Sequence, residues 1–148
     1  MKAIFILIIL FSVISINAQE VTNEQTIKYI NGKLKNNCVL EAKTNQLILQ
    51  FYKGKEMYRQ DKANVYGLDP DKVSYKAEEN AIILYCLEPD DECVMRWIFK
   101  NNVKKTYSRS NISVENLDEK SINGLVKAFS HLIKTYHVPD YKLYEYFE

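Results

Sequence analysis

The sequence predicts an α+β domain, and three observations support this fold class. Apolar residues recur at helical spacing near the start of the chain and again, over a longer segment, near its end. Between these segments, from Cys38 to Val114, apolar and polar residues alternate at period two, with turn signals roughly every 8 to 12 residues. We therefore expect a short N-terminal helix, seven or eight antiparallel strands and a long C-terminal helix.

Residues 1–18 have the composition of a secretory signal peptide. A single basic residue, Lys2, precedes an apolar run, and the small residue Ala18 stands where a signal peptidase would cut. A membrane anchor is the alternative, but the unbroken apolar core is shorter than the roughly 20 residues that cross a bilayer. We expect cleavage before Gln19 and a periplasmic or secreted protein with no transmembrane segment after signal removal.

The remaining residues, 19–148, have the length of a single α+β domain and a balanced charge. The whole chain has 20 basic and 19 acidic residues, and removal of Lys2 with the leader leaves 19 of each. These charges are interspersed, so the chain has no electrostatic attraction for nucleic acid or anionic lipid. A nucleic-acid partner is therefore not expected.

The first helix is expected to begin after Thr22. Thr22 and Gln25 have the spacing of a capping box, in which each side chain satisfies a free amide of the first turn. Ile27, Ile30 and Leu34 follow at helical spacing, which predicts a short amphipathic helix.

The strands are expected in segments that are separated by turn-forming residues. After the first alternating residues at Cys38, these segments are 46–52, 56–60, 63–68, 72–77, 81–87, 93–99 and 105–114.

The second helix is expected over residues 116–137. A stripe of apolar residues on one face predicts that this helix lies on the sheet or closes the end of a barrel. Asn116 and Glu119 offer a second capping box, and Pro139 ends the helix. His131 lies beside the stripe and is expected to be a half-exposed helix residue rather than a catalytic base.

This order of elements resembles the pleckstrin-homology-like superfold, in which two orthogonal sheets form a partly open barrel and a C-terminal helix caps one end. The resemblance covers residues 38–137 and rests on element order. A cystatin-like helix on a curved sheet is the alternative. The composition, rich in Lys, Asn and Ile, also resembles small, uncharacterised secreted proteins of Bacteroidota-type bacteria. Neither resemblance implies a function, because one fold hosts many.

Cys86 and Cys93 flank an acidic loop, and a disulfide between them is expected in an oxidising compartment. If the two cysteines face each other across an antiparallel hairpin, Leu84 meets Met95, and apolar residues pair along the whole cysteine side. The register that a disulfide requires therefore agrees with the register that hydrophobicity favours.

The third cysteine, Cys38, is expected to be a buried free thiol, with pairing to a second chain or exchange with the other two cysteines as alternatives. A metal site would need two further ligands, and His131 and His137 have no partners at a suitable spacing. The acidic loop, residues 88–92, lacks the spacing of a calcium loop and is expected to be a solvated turn. No metal and no cofactor are expected.

The C-terminal tail, residues 138–148, is rich in aromatic and acidic residues. Tyr141, Tyr144, Tyr146 and Phe147 form a candidate interaction surface if the tail is exposed. The alternative is a tail that folds back over the strands or the first helix.

The chain contains no nucleophile elbow, phosphate loop or zinc signature. We therefore expect an exported, non-enzymatic binding or interaction protein, whose partner is a protein, a peptide or a small apolar ligand. The alternatives are a small hydrolase-like enzyme with a site built from dispersed residues, and an inhibitor of a secreted hydrolase. A deep pocket in which His131 meets acidic groups would favour the enzyme.

Overall fold

The computed structural model describes residues 19–35, 37–144 and 147. The predicted signal peptide, residues 1–18, lies outside this part of the chain, as does Tyr146. Within the described residues, no helix has the length and apolarity needed to cross a membrane.

The fold is α+β, as predicted, with one helix near each end of the described chain and eight strands between them. In chain order the helices and strands are α1 (Asn23–Leu34), β1 (Cys38–Lys43), β2 (Gln46–Lys53), β3 (Glu56–Asn64), β4 (Ser74–Lys76), β5 (Ala81–Tyr85), β6 (Val94–Ile98), β7 (Val103–Tyr107), β8 (Arg109–Ser113) and α2 (Glu119–His137).

The strands form two open antiparallel sheets. One sheet has five strands in the order β1-β2-β3-β6-β7, and the other has three in the order β4-β5-β8. Every named pairing is antiparallel. Among the described residues the strands do not close into a barrel, and the two sheets meet along a seam where β3 and β6 face β8.

Helix α1 begins as its sequence predicts. The hydroxyl of Thr22 accepts a hydrogen bond from the backbone of Gln25 at 3.2 Å, and the Gln25 side chain accepts from the backbone of Thr22 at 2.9 Å. Asn31 then fixes the helix to β1, because its side-chain amide both donates to the carbonyl of Leu40 and accepts from its N–H. Helix α1 thus packs between β1 and α2.

Helix α2 starts two residues later than the predicted capping box. The side chain of Asp118 accepts from the N–H of Ser121 at 2.7 Å and is the N-cap. Asn116 has a φ of 64°, a left-handed conformation that precedes the helix. The predicted apolar stripe is confirmed, and the buried residues of α2 are Ile122, Gly124, Leu125, Ala128, Phe129, His131, Leu132 and Ile133.

Two of the predicted strand segments are assigned differently in the structure. Segment 63–68 is not a separate strand, since β3 runs on through Asn64 and a short 3-10 turn follows at Val65–Gly67. Segment 105–114 holds two strands that belong to different sheets, with Ser108 between them. Alternation at period two cannot distinguish a strand that continues from one that changes sheet.

The predicted hairpin between β5 and β6 is wrong. Leu84 on β5 lies opposite Ser110 on β8, and Met95 on β6 lies opposite Thr106 on β7. The connection between the strands, which contains Pro89, carries the chain from the three-stranded sheet to the five-stranded sheet. In the observed pairing Leu84 is buried but Met95 is 43% exposed, so matching of apolar residues across strands did not decide the pairing.

The disulfide nevertheless joins the predicted residues. The sulfur atoms of Cys86 and Cys93 are 1.98 Å apart, and their Cα atoms are 5.8 Å apart. Cys86 follows β5 and Cys93 precedes β6, so the bond connects the two sheets rather than two strands of one hairpin. Gly67 lies against it, because a Cβ at this position would come within 2.8 Å of the Cβ of Cys93.

A buried carboxylate also connects the sheets. Asp61 on β3 is fully buried and accepts hydrogen bonds of 2.5–2.9 Å from Nε and Nη2 of both Arg59 and Arg96. Ser110, on β8 of the other sheet, donates its hydroxyl to Asp61 at 2.6 Å. We call Arg59, Asp61, Arg96 and Ser110 the Asp61 cluster.

The burial of α2 predicts how two substitutions will differ. Phe129 is fully buried, whereas Lys127 on the same helix is exposed. Phe129→Ala should lower the free energy of unfolding by about 3–5 kcal/mol, because a buried ring leaves a cavity. Lys127→Ala should change it by less than about 0.5 kcal/mol. Urea denaturation measures both, and equal losses would show that α2 does not pack as described.

The disulfide predicts a second stability change. Replacing Cys86 and Cys93 together with alanine should lower the free energy of unfolding by about 2 kcal/mol, because the bond restricts the unfolded chain. Thiol titration of the oxidised protein should find one thiol, that of the buried Cys38, which reacts only on unfolding. Three reactive thiols in the oxidised protein would contradict the bond.

Candidate functional site

A pocket lies between helix α2, the loop before β4 and the C-terminal tail. Its volume is about 420 Å³, within the roughly 300–1,000 Å³ of small-molecule sites. We call it the His131 pocket. Its lining is largely apolar, with a few polar side chains, and consists of Pro70, Asp71, Val73, Val126, Lys127, Ser130, His131, Tyr141, Leu143 and Phe147.

The C-terminal tail forms the outer wall of this pocket. The carbonyl of Leu143 accepts a hydrogen bond from the N–H of Val21 at 2.8 Å, and Lys142 forms an exposed ion pair with Glu20 at 3.4 Å. Phe147 is buried, with its ring 5.0 Å from that of Tyr29. The tail therefore folds back over the helices.

This arrangement corrects the predicted interaction surface. Phe147 is buried and Tyr141 is half-buried, so neither belongs to an exposed aromatic strip. Tyr144 is 51% exposed, and Tyr146 lies outside the described residues. Two aromatic residues of the tail, Tyr141 and Phe147, line the pocket.

His131 is buried in the wall of the pocket, and the prediction of a half-exposed residue is wrong. Only 2% of its surface is exposed, because the rings of Tyr141 and Phe147 lie 5.5 and 5.8 Å from the imidazole. The helical phase places His131 beside the apolar stripe, on a flank that would face solvent if the tail were absent. The tail covers that flank.

Neither ring nitrogen of His131 has a hydrogen-bond partner among the described residues. Burial lowers the pKa of His131, because the imidazolium form is poorly solvated there. The nearby backbone of Val21 and the negative charge of Glu20 raise this pKa, but by less than burial lowers it. The Val21 backbone does not meet the geometry of a hydrogen bond to either ring nitrogen. His131 is therefore a neutral imidazole at neutral pH, with one donor and one acceptor unused.

The other polar side chains of the pocket are already engaged or lie at its rim. Ser130 donates its hydroxyl to the carbonyl of Pro70 at 2.7 Å. Lys134, next to the pocket, is 3.5 Å from Asp71 and 5.3 Å from the ring centre of Tyr141. Among the described residues no carboxylate and no hydroxyl forms a hydrogen bond with either ring nitrogen of His131.

A larger recess, of about 710 Å³, lies between α1 and the start of α2. Half of its ten lining residues are exposed, among them Lys28, Lys35 and Asp118. The His131 pocket differs from this recess because a buried polar side chain without a hydrogen-bond partner among the described residues lies in its wall.

The remaining predicted residues do not converge on this pocket. Cys38 is buried at the start of β1, where desolvation raises the pKa of its thiol to about 12. Residues 88–92 form an exposed loop. Within the described residues, no three metal-ligating side chains come together.

Sequence reasoning missed the pocket because it is built from segments far apart in the chain. The signal that could have found it was the combination of an aromatic tail with a histidine beside an apolar stripe. Both features are visible in the sequence, but only the fold places the rings of Tyr141 and Phe147 against His131.

The unpaired imidazole predicts an unusual gain of stability. His131→Leu should raise the free energy of unfolding at pH 7 by about 1 kcal/mol, because an unsatisfied buried polar group is replaced by an apolar one. Urea denaturation checks this, and a loss of more than about 1 kcal/mol would mean that the imidazole is satisfied in the fold.

The same substitution should change the pH dependence of stability. Because the pKa of His131 is lowered in the folded protein, the unfolded chain binds a proton on this histidine at a higher pH, near about 6.5, than the folded protein does. The wild type should therefore lose stability from about pH 7 to about pH 5, and His131→Leu should lose less. Equal losses in the two proteins would contradict the burial of a neutral imidazole.

Comparison of the chain with protein-family models, with curated proteins and with solved structures finds no match. The geometry of the residues themselves is therefore the evidence for function.

Proposed function

We propose that the protein is an exported binding protein that holds a small, mainly apolar ligand in the His131 pocket. The observation that carries this proposal is the buried imidazole in the wall of a ligand-sized pocket, whose two nitrogens have no hydrogen-bond partner among the described residues. A buried polar group without a partner is destabilising, so its presence at such a place points to a partner that binds there.

The chemistry of the lining defines the ligand. Val73, Val126, Leu143 and Phe147 offer an apolar surface, which favours an aliphatic or aromatic body. The neutral His131 offers one acceptor and one donor, so the ligand should carry a hydroxyl, amide or amine group. A permanent cation is disfavoured, because Lys127 lines the pocket and Asp71, a carboxylate in the same lining, is next to Lys134.

The site of action that we propose is outside the cytoplasm. The disulfide between Cys86 and Cys93 supports this, since such bonds persist in oxidising compartments. The signal-peptide pattern of residues 1–18 points to the same location.

The enzyme alternative receives less support than binding. An enzyme of the hydrolase type would need a nucleophile or an acidic partner for His131. The hydroxyl of Ser130 is committed to Pro70, and Asp71 is next to Lys134.

The proposal predicts saturable binding of an apolar probe that carries one hydrogen-bond donor. N-phenyl-1-naphthylamine has these properties, and its fluorescence rises in an apolar site. We expect binding with one site per chain. Val126→Trp should abolish it by filling the pocket, because Val126 lines the pocket and is only half-buried.

Asn123→Trp is the matched control, because it adds the same bulk at an exposed position of the same helix and should leave binding unchanged. His131→Leu should weaken binding at least tenfold while the protein remains folded. If the wild type does not bind the probe, or if the two tryptophan variants bind alike, the pocket is not the ligand site.

A further inference from the structure

We infer a second binding site, for a small zwitterion such as a dipeptide or an amino acid, in the cleft where one edge of the five-stranded sheet meets the three-stranded sheet. This seam cleft has a volume of about 350 Å³, at the small end of ligand pockets. Its charged lining residues are Lys53, Arg59, Glu79 and Glu115.

The positive wall of the cleft belongs to the five-stranded sheet. Arg59 lies on β3 and Lys53 at the end of β2. The Asp61 cluster contains two arginines and one carboxylate, so one positive charge is left without an acidic partner inside it. Nε and Nη2 of Arg59 are bonded to Asp61 and to the carbonyl of Asn111. Nη1 forms no hydrogen bond within the described part of the chain.

Arg59 is also held rigidly, which suits it to recognise a carboxylate. Its guanidinium lies 4.0 Å from the ring centre of Phe51, and only 12% of its side chain is exposed. A fixed, largely desolvated guanidinium binds a carboxylate more strongly than a free surface arginine does, because little entropy is lost and water screens the charge less.

The negative wall belongs to the three-stranded sheet. Glu79 precedes β5 and Glu115 follows β8. Glu79 is bonded to Arg109 at 2.8 Å, whereas Glu115 forms no ion pair with any residue that the structure describes. Glu115 is therefore the free negative charge of the cleft, as Lys53 is the free positive charge at its rim.

The opposed walls select the class of ligand. A simple anion would be repelled by Glu115, and a simple cation by Lys53 and Arg59. A molecule with a carboxylate at one end and an ammonium group at the other satisfies both walls at once.

Three probes that differ only at their ends test the site. Ala-Ala carries both charges, N-acetyl-Ala-Ala lacks the cation and Ala-Ala-amide lacks the anion. Isothermal titration should detect saturable binding of Ala-Ala and at least tenfold weaker binding of each blocked form. NMR shift changes should centre on the amides of Asn111, Ser113 and Glu115. Binding should weaken as salt is added.

Substitutions at the rim test the assignment without disturbing the Asp61 cluster. Lys53→Gln and Glu115→Gln alter exposed residues and should each weaken Ala-Ala binding about two- to fivefold, because an exposed charge pair contributes only modestly. Lys55→Gln, in the exposed turn after β2, is the control and should have no effect. If no saturable binding occurs, if a blocked form binds as tightly as Ala-Ala, or if the shifts lie elsewhere, the inference fails. Binding or its absence at the seam cleft does not test the His131 pocket, because the two sites share no lining residue.

Discussion

The relative position of the two sheets depends on one buried carboxylate. Asp61 accepts five hydrogen bonds, and their donors come from β3 and β6 of one sheet and β8 of the other. Burial alone would raise the pKa of Asp61, but the arginines and Ser110 outweigh this effect and lower it. The carboxylate stays ionised, and removal of one partner from such a buried pair typically costs about 3–5 kcal/mol.

The disulfide acts on the same seam, close to the Asp61 cluster. Cys93 lies just before β6, and its carbonyl accepts a hydrogen bond from Asn64 at the end of β3. The covalent bond to Cys86 thus links the end of β5 to the β3–β6 pair at Asn64, three residues along β3 from Asp61. A covalent and an ionic connection thus join the two sheets along this seam.

Structural features that depend on residues close together in the sequence could be predicted, whereas those that depend on distant residues could not. The capping box of Thr22 and the apolar stripe of α2 were predictable, because both depend on residues three or four positions apart. The pairing of Cys86 with Cys93 was predicted correctly from an expected oxidising compartment and a hairpin register, although the structure does not have that hairpin. The sheet to which each strand belongs was not, since the deciding contacts, such as Ser110 with Asp61, join residues 49 positions apart. Nothing in the local pattern marks Asp61, which stands between the polar residues Gln60 and Lys62, as buried.

A ligand can contact the imidazole of His131 only where the side chains that cover it separate. Nδ1 and Nε2 are buried, and the rings of Tyr141 and Phe147 lie against the imidazole. Among the described residues, the N–H of Val21 donates to the carbonyl of Leu143 and Lys142 pairs with Glu20, and each of these contacts contributes only about 1 kcal/mol or less. The burial of Phe147 adds a few kcal/mol at most. The proposed binding to the imidazole therefore requires these contacts to separate while Asp61 and the disulfide keep the two sheets folded.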